Sequence, residues 1–118
     1  MSAIFKLISS NDWEDAKITG LIPKTEVDIK SGGYHVYQFD DLEKLCKLGF
    51  THDDYPIALE LEPSSLVSQL TWHQPNQDRA WKEGIIKSED IYADLVMNIY
   101  SFEWGDTNGE TWCKIVGE

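Results

Sequence analysis

The spacing of hydrophobic and polar positions changes several times along the chain, and each change marks an element. Ala3-Ile4-Phe5-Lys6-Leu7-Ile8 is a short, nearly continuous apolar run suited to a strand. Ser9-Ser10-Asn11-Asp12 follows it as a cluster of N-cap residue types, which predicts a helix over Asp12 to Thr19. Asn11 and Glu14 have the spacing of a capping box, Trp13 and Ala16 share a face, and Gly20 supplies the stop. After a loop through Pro23 and the Ser31-Gly32-Gly33 breaker, Tyr34-His35-Val36-Tyr37-Gln38 is rich in strand formers. Asp40 and Glu43 form a second capping pair, Leu42, Leu45 and Cys46 an apolar stripe, and Gly49 an end, so a second helix is expected there. Ile57-Ala58-Leu59-Glu60-Leu61-Glu62 then alternates with period two until Pro63 breaks it. This predicts a half-buried strand with its carboxylates in water.

The C-terminal half carries fewer helical signals. Leu66 to Trp72 reads as a turn and a short strand, and Gln74 to Glu83 as an exposed polar loop carrying Trp81. Two β-rich runs, from Val96 to Trp104 and from Glu110 to Val116, flank Gly105-Asp106-Thr107-Asn108-Gly109 and predict a hairpin. No repeat or low-complexity linker divides the chain, so residues 1–118 are read as a single domain. Strands outnumber helices, two helices fall in the N-terminal half, and no βαβ rhythm persists. The expected class is α+β with a mostly antiparallel sheet.

Charge narrows the range of partners. The chain holds 21 Asp and Glu against 10 Lys and Arg, a formal net charge of −11, and its one arginine is Arg79. A nucleic-acid groove needs a basic face, so direct nucleic-acid binding is not expected. An acidic field of this size speeds association with a basic protein partner and repels anionic lipid. Neither a membrane span nor the apolar stretch of a signal peptide is present, which leads to the expectation of a cytoplasmic protein. At this size about two thirds of the unfolded surface is buried on folding, enough for a core without staples. Cys46 and Cys113 accordingly read as two buried thiols and not as a zinc knuckle, redox pair or disulfide.

Few residues suggest chemistry. No G-x-S-x-G elbow, phosphate loop or dinucleotide fingerprint occurs, and His52-Asp53-Asp54 lacks the further ligands that a metal site needs. His35 sits mid-strand behind two glycines, where a backbone can approach a ligand and an imidazole can donate to it. A half-buried strand histidine with satisfied ring nitrogens is the plainer reading of the same position, and His73 beside Trp72 has the same two readings. Trp81, flanked by Arg79, Lys82 and Glu83, is the tryptophan best suited to face a partner.

Taken in order, Lys6-Leu7, Trp13-Glu14 with Ala16 and Gly20, and Gly33-Tyr34-His35-Val36 resemble the opening of the bacterial "domain of unknown function 952" family. Leu59-Glu60-Leu61-Glu62, Leu70-Thr71-Trp72, Ile91-Tyr92-Ala93-Asp94-Leu95 and the Asp106-Thr107-Asn108-Gly109 hairpin continue the resemblance over nearly the whole chain. The resemblance implies an ADP-ribosyltransferase-like fold, a split antiparallel sheet around a cleft that takes an NAD or ADP-ribose-like ligand. Carried over by position, it implies His35 and Tyr92 as catalytic residues and Lys6, Trp13, Trp72 and His73 as cofactor-binding residues, with no metal. The chain departs from the family pattern where His73 replaces the glutamate after Trp72, Tyr37 replaces a serine, and Asp90 stands at the second histidine. These departures imply a binding domain with weak or lost catalysis, at most a degenerate transferase; a monomer or weak homodimer is expected. The alternative expectation is an acidic inhibitor or an immunity or anti-defence protein that engages a basic, nucleic-acid-binding partner.

Overall fold

The computed structural model describes residues 3–116. Seven strands form one antiparallel sheet: β1 (Ile4–Ile8), β2 (Tyr34–Tyr37), β3 (Ile57–Leu61), β4 (Leu70–His73), β5 (Glu83–Ile86), β6 (Val96–Thr107) and β7 (Glu110–Ile115). Their order across the sheet is β4-β5-β2-β1-β3-β6-β7. Three α-helices, α1 (Ser10–Thr19), α2 (Glu26–Ser31) and α3 (Leu42–Gly49), join them. The expected α+β class with an antiparallel sheet is what the structure has.

The apolar residues fall into two cores. Ile4, Ile8, Tyr34, Val36, Leu59, Leu61 and Ile86 form the larger one with Ile22, Leu66 and Ile91, and Trp13 and Trp72 pack at its margin. Phe5, Leu7 and Ala58 meet Leu42 and Leu45 of α3 in the second. Because successive strand residues point to opposite faces, β1 and β3 feed both cores, and β1 is buried along its whole length. β3 is therefore not the half-buried strand that its alternation predicts: Ala58 packs under α3, and Glu60 is partly covered and accepts from Asn98 Nδ2 at 3.0 Å.

Several boundaries move for local reasons. Ser9, not Asn11, caps α1, its hydroxyl accepting from the Asp12 N–H, so the helix begins two residues earlier than expected. Gly20 ends it in the left-handed conformation, as predicted. α2 falls in a stretch expected to be loop. Thr25 and Asp28 close a reciprocal capping box around its first turn, and Gly32 ends it. α3 carries the predicted stripe of Leu42, Leu45 and Cys46, but its N-cap Asp41 makes no side-chain capping bond and a 3-10 turn over Phe39–Asp41 leads into it. β5 starts at Glu83, inside the predicted loop, and the β6–β7 turn is only Asn108-Gly109, with the strand running straight through Gly105.

The seam between β1 and β2 organises the molecule. β1 pairs with β3 over five residues but with β2 through a single registered pair, Phe5 opposite Tyr37. Beyond that pair the two strands part, and side chains from β1 and α2 fill the gap.

Candidate functional site

Past Tyr37 the backbone of β2 has no strand partner on the β1 side. His35 directs both its N–H and its carbonyl into the seam, where a buried ion pair takes the place of the missing ladder. Asp28 Oδ1 accepts the His35 N–H at 2.9 Å, and Lys6 Nζ donates to the His35 carbonyl at 3.0 Å. Lys6 and Asp28 meet at 2.7 Å, and Asp28 Oδ2 also accepts the Thr25 N–H at 3.0 Å. Both side chains are almost wholly out of water. An unpaired charge at that depth costs several kcal/mol, so the pair is retained only because each group is also bonded to backbone. Burial holds the Lys6 ammonium below the ordinary lysine range, and Asp28 opposes that shift.

The His35 imidazole is held at both ring nitrogens. Nδ1 lies 2.7 Å from Glu83 Oε1, and Nε2 lies 2.7 Å from Ser31 Oγ. A carboxylate accepts only from a ring N–H, so in the neutral ring the proton sits on Nδ1 and Ser31 donates to Nε2. Arg79 Nη1, 3.5 Å from Glu83, steadies the far side of that carboxylate. The order Ser–His–Glu is that of a hydrolase triad, yet the surroundings oppose that chemistry. Ser31 ends α2, at the negative pole of the helix, and its hydroxyl faces the carbonyls of Asp28 and Gly33 at 3.4 and 3.3 Å. An oxyanion there meets acceptors instead of donors. The arrangement locks the ring.

Where the seam opens, a cleft of about 420 Å³ lies between α2 and α3. Lys6 and His35 form part of its floor. Tyr37, Phe50, Trp81 and Leu48 give it aromatic and aliphatic walls, and Thr25 and Glu26 stand at the start of α2 on its rim. Burial pushes the Tyr37 hydroxyl well above the ordinary tyrosine range, with Glu83 adding to the shift. Trp81 packs against the α3-side core, not into solvent as the sequence predicts, and its Nε1–H is buried without an acceptor among the described residues. A buried donor left unpaired costs about 1–3 kcal/mol, and an acceptor brought into the cleft can recover it.

Of the residues singled out in the sequence, the cleft brings together Lys6 and His35 and excludes Trp13, Trp72, His73 and Tyr92. Trp13 and Trp72 pack at the margin of the larger core. Lys82 lies over the Trp72 ring, 5.3 Å from its centroid. His73 is exposed on the edge strand β4 and offers its carbonyl to Arg79 at 3.2 Å. Tyr92 is 58% exposed and bridges Leu21. Glu83, Ser31, Asp28 and Trp81 hold the positions nearest the chemistry, and of these the sequence pattern picked out only Trp81. Among the described residues no group of three or more His, Cys, Asp or Glu side chains is arranged to hold a metal ion. No helix among them is long and apolar enough to cross a membrane.

The fold is shared with solved proteins. The crystal structure of protein CC0527 from Caulobacter crescentus superposes with a TM-score of 0.75 at 18% identity, covering 93% of each chain. A solution NMR structure of CC0527 superposes at 0.70 with 20% identity, over 92% of this chain and 90% of that one. At these identities the likeness defines a fold class, the α+β architecture of CC0527, and no activity. No known family's sequence profile matches the chain. No curated protein matches it either.

Proposed function

We propose that this chain is a member of the "domain of unknown function 952" family with an ADP-ribosyltransferase-like fold, and that the cleft at the β1–β2 seam binds a nucleotide or NAD-like ligand through its base and ribose. The observation that carries this reading is the parted seam: the sheet stops pairing where a cleft with aromatic walls begins, and Trp81 leaves a donor unsatisfied in its wall. The volume suits a nucleoside, since pockets for small ligands run from about 300 to 1,000 Å³. Stacking falls to Trp81, Tyr37 and Phe50, which line the cleft, instead of Trp72 and Tyr92. Lys6 serves the cleft by holding its floor, since its Nζ is bonded to Asp28 and the His35 carbonyl and faces the Tyr34 ring at 5.9 Å. Catalysis in this reading is weak or lost: both nitrogens of His35 are engaged, and Glu83 is tied to His35 and Arg79. The cytoplasm is the proposed location, in keeping with two free, buried cysteines.

A second reading, an acidic surface that captures a basic protein, rests on the net charge of −11. Salt separates the two. The acidic field repels a pyrophosphate, so nucleotide affinity holds or rises with added salt, whereas affinity for a basic partner falls steeply. The direct test is a melting curve with NAD or ADP-ribose at millimolar concentration. A rise in Tm that is lost in Leu48→Trp supports cleft binding, because Leu48 is two-thirds exposed and a larger side chain there fills the cleft without disturbing the core. An unchanged Tm overturns it.

A further inference from the structure

A second concave region lies against β3 and β6 and shares none of its lining residues with the seam cleft. His52, Tyr55, Phe102, Trp104 and Ser10 line a cavity of about 330 Å³ there. The His52 ring stands 5.6 Å from Tyr55 and 6.5 Å from Trp104, centroid to centroid, so three π-systems gather at one mouth. Tyr55 is held in the left-handed region, at φ 46° and ψ 57°, which a residue with a Cβ adopts only under constraint. Its N–H donates to the His52 carbonyl at 3.0 Å, and its own carbonyl accepts from both the backbone and the hydroxyl of Ser10. Backbone strain maintained by three hydrogen bonds keeps an exposed aromatic ring beside the cavity. The indole Nε1–H of Trp104 is buried and has no acceptor among the described residues.

We propose that this cavity binds a choline-like quaternary ammonium group carrying a neutral oxygen. Aromatic faces attract cations through the negative face of the ring, and among the described residues no lysine or arginine lines this cavity to compete. Among the described residues no carboxylate lines it either, so a primary ammonium or a guanidinium would find only hydroxyl acceptors and no counter-charge for its strongly hydrated N–H groups. A quaternary ammonium has no N–H to satisfy. The adjoining cavity, of about 510 Å³, shares His52 and Trp104 and adds Asp53 and Asp106 beside a single Lys47, which favours a positive ligand nearby. The overall charge of −11 acts in the same direction and disfavours a zwitterion's carboxylate. A hydroxyl or ester oxygen on the ligand is the acceptor that the Trp104 indole lacks.

The test compares choline with neopentyl carbinol, its uncharged carbon isostere, by following the Trp104 indole N–H in heteronuclear NMR at matched ionic strength. Loss of one indole signal in Trp104→Phe assigns the resonance. The expected result is a saturable shift with choline in the millimolar range and binding of the isostere weaker by about 10-fold, the share expected of a partly desolvated cation–π contact. Tyr55→Gly keeps the fold, since glycine accepts the left-handed backbone, and is expected to weaken choline by about 5-fold. An isostere that binds as well as choline, an indole signal that does not saturate, or Tyr55→Gly binding unchanged each overturns the proposal. None of these outcomes bears on the seam cleft, whose ligand is read at Trp81.

Discussion

Lys6 and Asp28 meet at 2.7 Å inside the β1–β2 seam and together replace one step of a β-ladder, Asp28 receiving the N–H of His35 and Lys6 capping its carbonyl. The sheet can therefore part without leaving buried backbone unpaired, and the space that opens beside it is the cleft. An ion pair this deep contributes little as an attraction, but each partner makes the other's burial tolerable.

The two ends of the pair are unequal. Lys6→Met leaves Asp28 with two backbone N–H donors, whereas Asp28→Leu strands those donors and the ammonium together. Each substitution is expected to destabilise the fold, by about 3–5 kcal/mol for a broken buried pair, with Asp28→Leu the worse. The double variant is expected to cost less than the sum. Urea unfolding of the three variants measures this.

The thiols give a pH signature. Burial first, and then the facing Cys113 thiol, raises Cys46 far above its ordinary value of 9.0. Burial likewise raises Cys113. A raised folded-state value means that the protonated thiol's stabilisation is complete below pH 9.0 and is lost as pH climbs toward the folded-state value. Stability of the native chain is expected to fall above pH 9.0 more steeply than that of Cys46→Ala. A thiol reagent at neutral pH is expected to modify neither cysteine until the protein unfolds.

The cap of α1 can be checked by paired substitutions. Ser9→Ala removes the acceptor of the Asp12 N–H and is expected to cost about 0.5–2 kcal/mol, while Asn11→Ala, inside the helix, is expected to be near neutral. Thermal denaturation of the two variants distinguishes these caps.

Elements marked by strong periodicity or punctuation were legible in the sequence: the apolar β1, the stripe of α3, the Gly20 stop and the final hairpin. α2 was announced by Thr25-x-x-Asp28, which closes as a capping box, but Pro23 on one side and Ser31-Gly32-Gly33 on the other mark the same stretch as loop. β5 is four residues long, and its pairing with β2 sets Ile85 opposite His35 and Glu83 opposite Tyr37, a register that no local pattern encodes. Glu83 consequently looked like one more surface acid, although it is the group that orients His35. His35 was legible locally because it stands in a strand behind two glycines, whereas Lys6 was picked out only through the family resemblance. Asp28 was not legible, because an acid in the first turn of a helix is ordinary until tertiary structure buries it. Trp81 was noticed as an aromatic among charges, but the side it faces is decided by α3, far away in sequence.

The most direct test of the seam cleft as a ligand site is titration of the protein with ADP-ribose while the indole N–H signals are followed by NMR. A saturable shift of the Trp81 signal, absent in Leu48→Trp and unaccompanied by movement of Trp104, is the predicted result. A Trp81 signal that stays in place at millimolar ADP-ribose contradicts the account.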